Sequence, residues 1–192
     1  MLPYLLSLLV TLRLSASDNA YFYTTWMMAG IFLIIAPAVS LSLFAEGAHN
    51  PHGLRTKARS ALVIISAILV PGVIVVFATG GTLLSVFGSA YAQHAVGLLQ
   101  VVLLASFPDA ITNVYIAVLR VRGRLGAAAG LSIGMGVGIV GLSWALLPLL
   151  GISAVGWAFL FMQVGGCLFV ILDVRRGAVA STSESAKRGE TI

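Results

Sequence analysis

The sequence contains few charged residues for its length. Asp, Glu, Lys and Arg make up only 9% of its 192 residues, while 59% are hydrophobic. A soluble domain carries about 25% charged residues, which keep its surface in contact with water. The shortage of charge excludes an ordinary soluble domain, so the useful structural unit is the membrane span of about 20 apolar residues.

Cysteine is nearly absent as well. Cys167 stands alone within an apolar run. A single cysteine cannot form an internal disulfide, and without neighbouring ligands it predicts no metal site. We interpret Cys167 as a small buried apolar side chain, and we expect no metal and no cofactor.

Several functional signatures are also missing. The chain has no His-Glu-x-x-His pattern, no phosphate-binding glycine loop and no pair of intramembrane aspartates. The sequence therefore gives no reason to expect an enzyme. The net charge of +5 does not indicate nucleic-acid binding, because the basic residues lie in short clusters between apolar runs.

Apolar runs dominate what is present. Five of them are long enough to cross a membrane as helices, with tilt absorbing differences in length. They cover residues 20–44, 60–77, 95–119, 127–147 and 152–172. A shorter run, 2–12, is either a signal peptide with small residues at 15–17 or the outer part of a helix that begins upstream.

These runs predict an all-α fold, a polytopic transmembrane bundle of about six helices. Barrel strands are a poor alternative, because they alternate apolar and polar residues and these runs do not. We predict that the bundle covers residues 1–174, with its first helix truncated. Residues 175–192 are rich in Ala, Ser and Thr with mixed charges, which predicts a disordered tail.

The basic residues predict the orientation of the bundle. Ten of the eleven follow the runs at 20–44, 95–119 and 152–172, and only Arg13 lies in a loop at the opposite end of the bundle. By the positive-inside rule, the basic loops and the C-terminus face the cytoplasm of a multi-pass cell-membrane protein. Trp26, Trp144 and Trp157 fall at the opposite ends of their runs, where an aromatic belt is expected.

A glycine stripe marks the run at 127–147. Gly126, Gly130, Gly134 and Gly138 are four residues apart and so share one narrow face of a helix. Such stripes let another helix approach closely in lipid. The stripe predicts helix packing, either static or sliding.

The run at 95–119 carries the most informative polar residues. Ser106, Asp109, Asn113 and Arg120 share one helical face. An ionisable group at membrane depth costs a few kcal/mol on insertion scales, so Asp109 should face protein or water. One interpretation is a substrate or ion cavity lined by Asp109, Asn113 and Ser106. The other is a buried carboxyl bonded to a neighbouring helix.

Several segments together resemble a known family. They are Asn19-Ala20-Tyr21 leading into a helix with Pro37, the loop ending at Arg59, residues 83–91, and residues 119–124 followed by the glycine-rich run. They are similar to the polysaccharide-export, or oligosaccharide flippase, branch of the multidrug/oligosaccharidyl-lipid/polysaccharide superfamily. The resemblance covers roughly residues 15–172 and implies the C-terminal six-helix lobe of a two-lobed transporter, without the N-terminal lobe.

The resemblance implies a membrane transporter, or part of one, that flips lipid-linked oligosaccharide or polysaccharide precursors. Its expected partners are membrane lipid, the lipid-linked saccharide, and a missing N-terminal six-helix lobe or partner chain. One alternative is half of a major-facilitator-type transporter, although loop 46–59 lacks the usual Gly-x-x-x-Asp-Arg-x-Gly-Arg motif. The others are a non-transporting truncated membrane partner and a membrane enzyme acting on lipid-linked sugars.

Overall fold

The computed structural model describes residues 2–50 and 52–189, with residues 176–189 described by their backbone alone. Every regular element in these residues is a helix, which confirms the predicted all-α bundle. The predicted disordered tail, 175–192, falls almost wholly outside the fully described residues and stays a prediction. The helices are α1 (Leu2–Arg13), α2 (Ala16–Leu33), α3 (Ile35–His49), α4 (Leu54–Ser85), α5 (Ser89–Val121), α6 (Leu125–Leu150) and α7 (Ser153–Gly189).

Five helices in the described residues are long and apolar enough to cross a membrane. They are α4, α5, α6, the 153–175 part of α7, and α2 with α3 taken as one span over 16–49. The twelve residues of α1 rise only about 18 Å at 1.5 Å per residue, which is short of a hydrocarbon core about 30 Å thick. The protein is therefore a multi-pass membrane protein, and the described part of α1 is shorter than a span.

The apolar run at 20–44 forms two helical segments rather than one. The chain departs from regular helix at Ile34, three residues before Pro37. Proline has no backbone N–H, so Pro37 cannot donate to the carbonyl of Leu33, four residues earlier. The division between α2 and α3 falls at this missing hydrogen bond. Pro71 and Pro108, in contrast, lie inside α4 and α5 without dividing them.

Helix α5 lies at the centre of the bundle. It contacts α2, α3, α4, α6 and α7, and 67% of its most apolar stretch is buried, against 22% to 39% in the other spans. Leu98, Leu99 and Leu103 are completely buried in its first half. Polar groups on α5 are therefore held by neighbouring helices on most sides.

The outer surface of the bundle is apolar. Ile31, Val137 and Leu149 are 68%, 67% and 78% exposed, and many other large hydrophobic side chains are exposed with them. In water such a surface would aggregate, whereas hydrocarbon tails cover it at no cost. The exposed apolar surface agrees with a membrane location.

One member of the predicted aromatic belt lies elsewhere. Trp26 is only 8% exposed and packs edge-on against Phe159, so it belongs to the core. Trp144 and Trp157 are exposed, and the guanidinium of Arg13 lies 3.6 Å from the centre of the Trp144 ring. The prediction for Trp26 was wrong because hydropathy gives the depth of a residue in the membrane but not the side of the helix it occupies.

Candidate functional site

Asp109 lies in the interior between α5 and α7. Its side chain is 8% exposed, and Nε2 of Gln163 donates to Oδ1 of Asp109 over 2.7 Å. The hydroxyl of Thr112 donates to Oε1 of Gln163 over 2.8 Å, which closes the interhelical network. Of the two interpretations of Asp109, this geometry corresponds to the buried carboxyl bonded to a neighbouring helix.

The other two residues predicted to line a cavity with Asp109 both bond the backbone of α5. Ser106 is buried, and its hydroxyl donates to the carbonyl of Leu103 in the same helix over 2.6 Å. Asn113 donates to the backbone carbonyl of Asp109 over 2.9 Å and lines a separate cavity together with Arg120. The three residues share a helix, and of the three only Asn113 lines this cavity.

The glycine stripe is largely open within this chain. A Cβ atom built at Gly126, Gly130 or Gly134 meets no atom within 4 Å, whereas one at Gly138 would overlap the side chain of Met162. Of the four stripe glycines, only Gly138 therefore makes a close helix contact among the described residues. Packing of the other three glycines against a further helix stays a prediction.

The open stripe yields a first testable result. Gly130→Leu should leave the folded yield and thermal stability of the chain in detergent unchanged, because a Cβ at this position meets no described atom within 4 Å. Replacing Gly138 with leucine is the matched variant and should lower both, since its Cβ would overlap Met162. A loss of stability in Gly130→Leu as large as that in Gly138→Leu would mean that another chain covers the stripe.

A serine pattern in α6 resembles a nucleophile motif but lacks its geometry. Gly130, Ser132 and Gly134 have the Gly-x-Ser-x-Gly spacing. That motif works at a sharp turn from strand to helix, where the serine hydroxyl is exposed above the sheet. Here Ser132 lies inside α6, and its hydroxyl donates to the carbonyl of Ala128 over 2.9 Å. The pattern does not form a nucleophile elbow.

A cavity lies at the basic end of the bundle, between α4, α5 and α7, and we call it the arginine cavity. Its volume is about 510 Å³. Four arginines border it and aliphatic side chains form its wall. The lining residues are Leu54, Arg55, Ala58, Arg59, Leu62, Ile111, Val114, Tyr115, Val118, Arg122, Arg124, Val170, Asp173 and Val174.

The turn after α5 positions two of these arginines. Gly123 adopts φ +71°, its N–H donates to the carbonyl of Arg120, and the N–H of Arg124 donates to the carbonyl of Leu119. This pair of hydrogen bonds is the Schellman ending of a helix, which requires a left-handed residue and so favours glycine. The turn places Arg122 and Arg124 on either side of Gly123, at the edge of the cavity.

The first turns of α4 supply the other two arginines. Arg55 and Arg59 are four residues apart, so they lie on the same face of the helix. Lys57 lies between them and forms a 3.0 Å ion pair with Glu46 near the end of α3. That ion pair links the ends of α3 and α4, while Arg55 and Arg59 border the cavity.

Asp173 is an acidic residue that lines one side of the cavity. Nη1 of Arg124 lies 3.1 Å from Oδ2 of Asp173, and the hydroxyl of Tyr115 donates to the same oxygen. Arg55, Arg59 and Arg122 have no carboxylate within 4 Å in the part of the chain that the structure describes. Asp173 thus forms an ion pair with one of the four guanidinium groups, and the other three have no carboxylate at ion-pair distance in the described residues.

The arginine cavity combines the two chemistries of a phosphorylated lipid. Guanidinium groups bind phosphate through paired N–H donors, and an aliphatic wall accommodates a hydrocarbon chain. Sequence reasoning assigned the basic clusters to topology alone. It missed the cavity because residues from three distant segments form it. In the described residues, no group of three or more His, Cys, Asp or Glu side chains could hold a metal ion.

In comparisons with family models, curated proteins and solved structures, none matches this chain.

Proposed function

We propose that the protein is a membrane transporter, one lobe of a flippase that moves lipid-linked oligosaccharide or polysaccharide precursors across the cell membrane. The observation that carries the proposal is the arginine cavity, where three guanidinium groups that have no carboxylate within 4 Å in the described residues border an apolar wall. A lipid-linked saccharide has the same two parts, because a phosphate or diphosphate joins its sugar to a long hydrocarbon chain.

The wall of the cavity suits a lipid that enters from the side. Leu62, Ile111 and Val118 come from helices that also present apolar surface to the outside of the bundle. A hydrocarbon chain can therefore lie against the wall while its phosphate reaches the arginines at the end. Each charge-assisted contact of this kind is stronger than a neutral hydrogen bond.

The basic end is the proposed cytoplasmic end. The positive-inside rule places the arginines there, so the cavity would take its lipid from the cytoplasmic leaflet. The resemblance described above adds that such lobes work in pairs. The stripe at Gly126, Gly130 and Gly134 supports a second lobe or partner chain, because small residues allow close approach of a helix and, in the described residues, a Cβ at these positions meets no atom within 4 Å.

A binding experiment tests the cavity. The full chain in phosphatidylcholine nanodiscs should bind a polyprenyl diphosphate-linked N-acetylglucosamine and should not bind the uncharged polyprenol. Arg59→Gln with Arg122→Gln should weaken that binding by about 100-fold, since each lost charge-assisted contact is worth about tenfold. Arg175→Gln removes one charge at the same end outside the cavity and should bind as the parent does.

A translocation experiment tests the transport step. Vesicles containing the chain, with and without a candidate second lobe, should move the labelled lipid-linked sugar between leaflets. Movement that depends on Arg59 and Arg122 would support the flippase proposal. Binding without movement in either preparation would contradict it and would favour a non-transporting lipid-binding partner. Equal binding by the double variant and the parent would show that the lipid phosphate does not bind in the arginine cavity.

A further inference from the structure

The arginine cavity contains an ion pair of its own, between Arg124 and Asp173. Nη1 of Arg124 lies 3.1 Å from Oδ2 of Asp173, and both residues line the cavity. The hydroxyl of Tyr115 donates to the same oxygen. A carboxylate and a phosphate bind a guanidinium in the same way, through its N–H groups. The Asp173 carboxylate therefore uses a donor of Arg124 that a phosphate in this cavity would also use.

The three groups differ in how firmly the bundle holds them. Tyr115 is 8% exposed and packs in one cluster with Ala128 of α6 and Val170 of α7. The side chain of Asp173 is 27% exposed, and that of Arg124 is 51% exposed. When a ligand competes for the guanidinium, Arg124 is therefore the group that moves. Asp173 then keeps the hydrogen bond that it accepts from Tyr115.

The strength of the ion pair allows a phosphate to displace it. A partly exposed ion pair of this kind changes an equilibrium constant by about fivefold at most. A charge-assisted contact between Arg124 and a phosphate is worth about tenfold. The phosphate therefore takes Arg124 from Asp173, but the net gain in affinity is smaller than Arg124 alone would provide.

We propose that Asp173 competes with the lipid phosphate for Arg124, pairing with the guanidinium until the phosphate binds and again when it leaves. This inference rests on the proposed function, because it requires that the arginine cavity binds a phosphorylated lipid. Its consequence is binding that is weaker and more rapidly reversed. Transport requires such binding, strong enough to capture a substrate and weak enough to release it.

Asp173→Asn tests the competition. The full chain in phosphatidylcholine nanodiscs is titrated with polyprenyl diphosphate-linked N-acetylglucosamine. Asparagine keeps an oxygen that accepts from Tyr115 but lacks the charge that holds Arg124. The variant should therefore bind the probe about fivefold more tightly than the parent, mainly through slower dissociation.

Glu46→Gln is the matched control. Glu46 forms a 3.0 Å ion pair with Lys57 at the same end of the bundle, and neither residue lines the arginine cavity. The control removes the same charge and also breaks an ion pair, so it should bind the probe as the parent does. Equal tightening in Glu46→Gln and Asp173→Asn would overturn the proposal, because net charge would then set the affinity.

Arg124→Gln shows whether the effect of Asp173 passes through Arg124. In that variant Asp173 has no guanidinium at position 124 to hold, so adding Asp173→Asn should change the affinity by less than about twofold. Equal tightening with and without Arg124 would overturn the proposal, since it would indicate simple repulsion between Asp173 and the phosphate. Thermal unfolding separates a purely structural role, in which Asp173→Asn would lower the midpoint and weaken binding together.

Tyr115→Phe is a second test that leaves the carboxylate in place, and it decides alone where Asp173→Asn does not fold. The Tyr115 hydroxyl shares Oδ2 of Asp173 with Arg124 before the phosphate binds and has that oxygen to itself afterwards. Its hydrogen bond is therefore stronger in the bound state, and Tyr115→Phe should weaken probe binding about threefold. Unchanged binding would contradict the displacement of Arg124 from Asp173.

Failure of this proposal and failure of the flippase proposal give different results. If the parent binds the probe through Arg59 and Arg122 while Asp173→Asn binds as Glu46→Gln does, the binding site stands and the competition is wrong. If neither the parent nor Asp173→Asn binds the probe, both proposals fail. Tightening by Asp173→Asn that disappears in the Arg124→Gln background supports both.

Discussion

Gly166→Ala should destabilise the bundle, whereas Gly165→Ala should stabilise it slightly. A Cβ at Gly166 would lie 2.8 Å from Cγ2 of Thr112 and 3.1 Å from Sδ of Met135, so α7 would have to move away from α5 and α6. Overpacking of this kind costs about 1–3 kcal/mol. A Cβ at Gly165 meets nothing within 4 Å, and there alanine only improves helix propensity by up to about 1 kcal/mol.

Thermal unfolding of the full chain in detergent measures the difference between these two variants. Thr112→Ser provides a rescue, because it removes the obstructing methyl group and keeps the hydroxyl that bonds Gln163. Gly166→Ala combined with Thr112→Ser should therefore recover part of the lost stability. Equal midpoints for Gly165→Ala and Gly166→Ala would contradict the close packing of α7 against α5.

The second large effect concerns the hydrogen bond between Asp109 and Gln163. Gln163→Leu should lower stability by about 1–3 kcal/mol, because it leaves the buried Asp109 carboxyl without its donor from α7. Asp109→Leu should also destabilise by leaving the Gln163 amide unpaired. The double variant should be more stable than the sum of the two losses predicts, since replacing both partners removes the unpaired groups.

A double-mutant cycle of unfolding free energies gives the strength of this contact. Hydrogen bonds between membrane helices average about 0.6 kcal/mol and reach about 1.7 kcal/mol. A coupling of zero would mean that the pair does not hold α5 against α7.

Asp109→Asn should keep most of the stability, because asparagine still accepts from Gln163. If that variant folds normally but loses translocation in vesicles, Asp109 must ionise for function. Normal translocation would leave it a packing residue.

The sequence predicted the elements of the bundle better than their contacts. A run such as 95–119 is identified as a span because hydrophobicity and length depend only on local residues. The division at Ile34 was harder to predict. Pro37 shows which backbone hydrogen bond is lost, but it does not show whether the helix bends or divides there. The burial of Trp26 could not be predicted, because it depends on the neighbouring Phe159 in α7.

The candidate sites show the same contrast. Ser106, Asp109 and Asn113 all lie on α5, as helical periodicity predicted. Their side chains have different roles: Ser106 bonds its own helix, Asp109 bonds Gln163 of α7, and Asn113 lines a cavity. Periodicity gives direction around one helix axis and contains no information about which helix packs there. The partner of Asp109 is Gln163, more than fifty residues away, and only the packing of α7 selects it.

The sequence by itself determined that this is a helical membrane protein with its basic residues gathered at alternate loops, because a lipid environment imposes span length and loop charge on local sequence. The tertiary structure decided that Arg59 and Arg122 border one apolar cavity, and that Ser40 and Arg120 border another. The physical reason is that apolar helices can pack in many arrangements with similar lipid exposure. Steric fit and a few buried hydrogen bonds between distant residues select one of them.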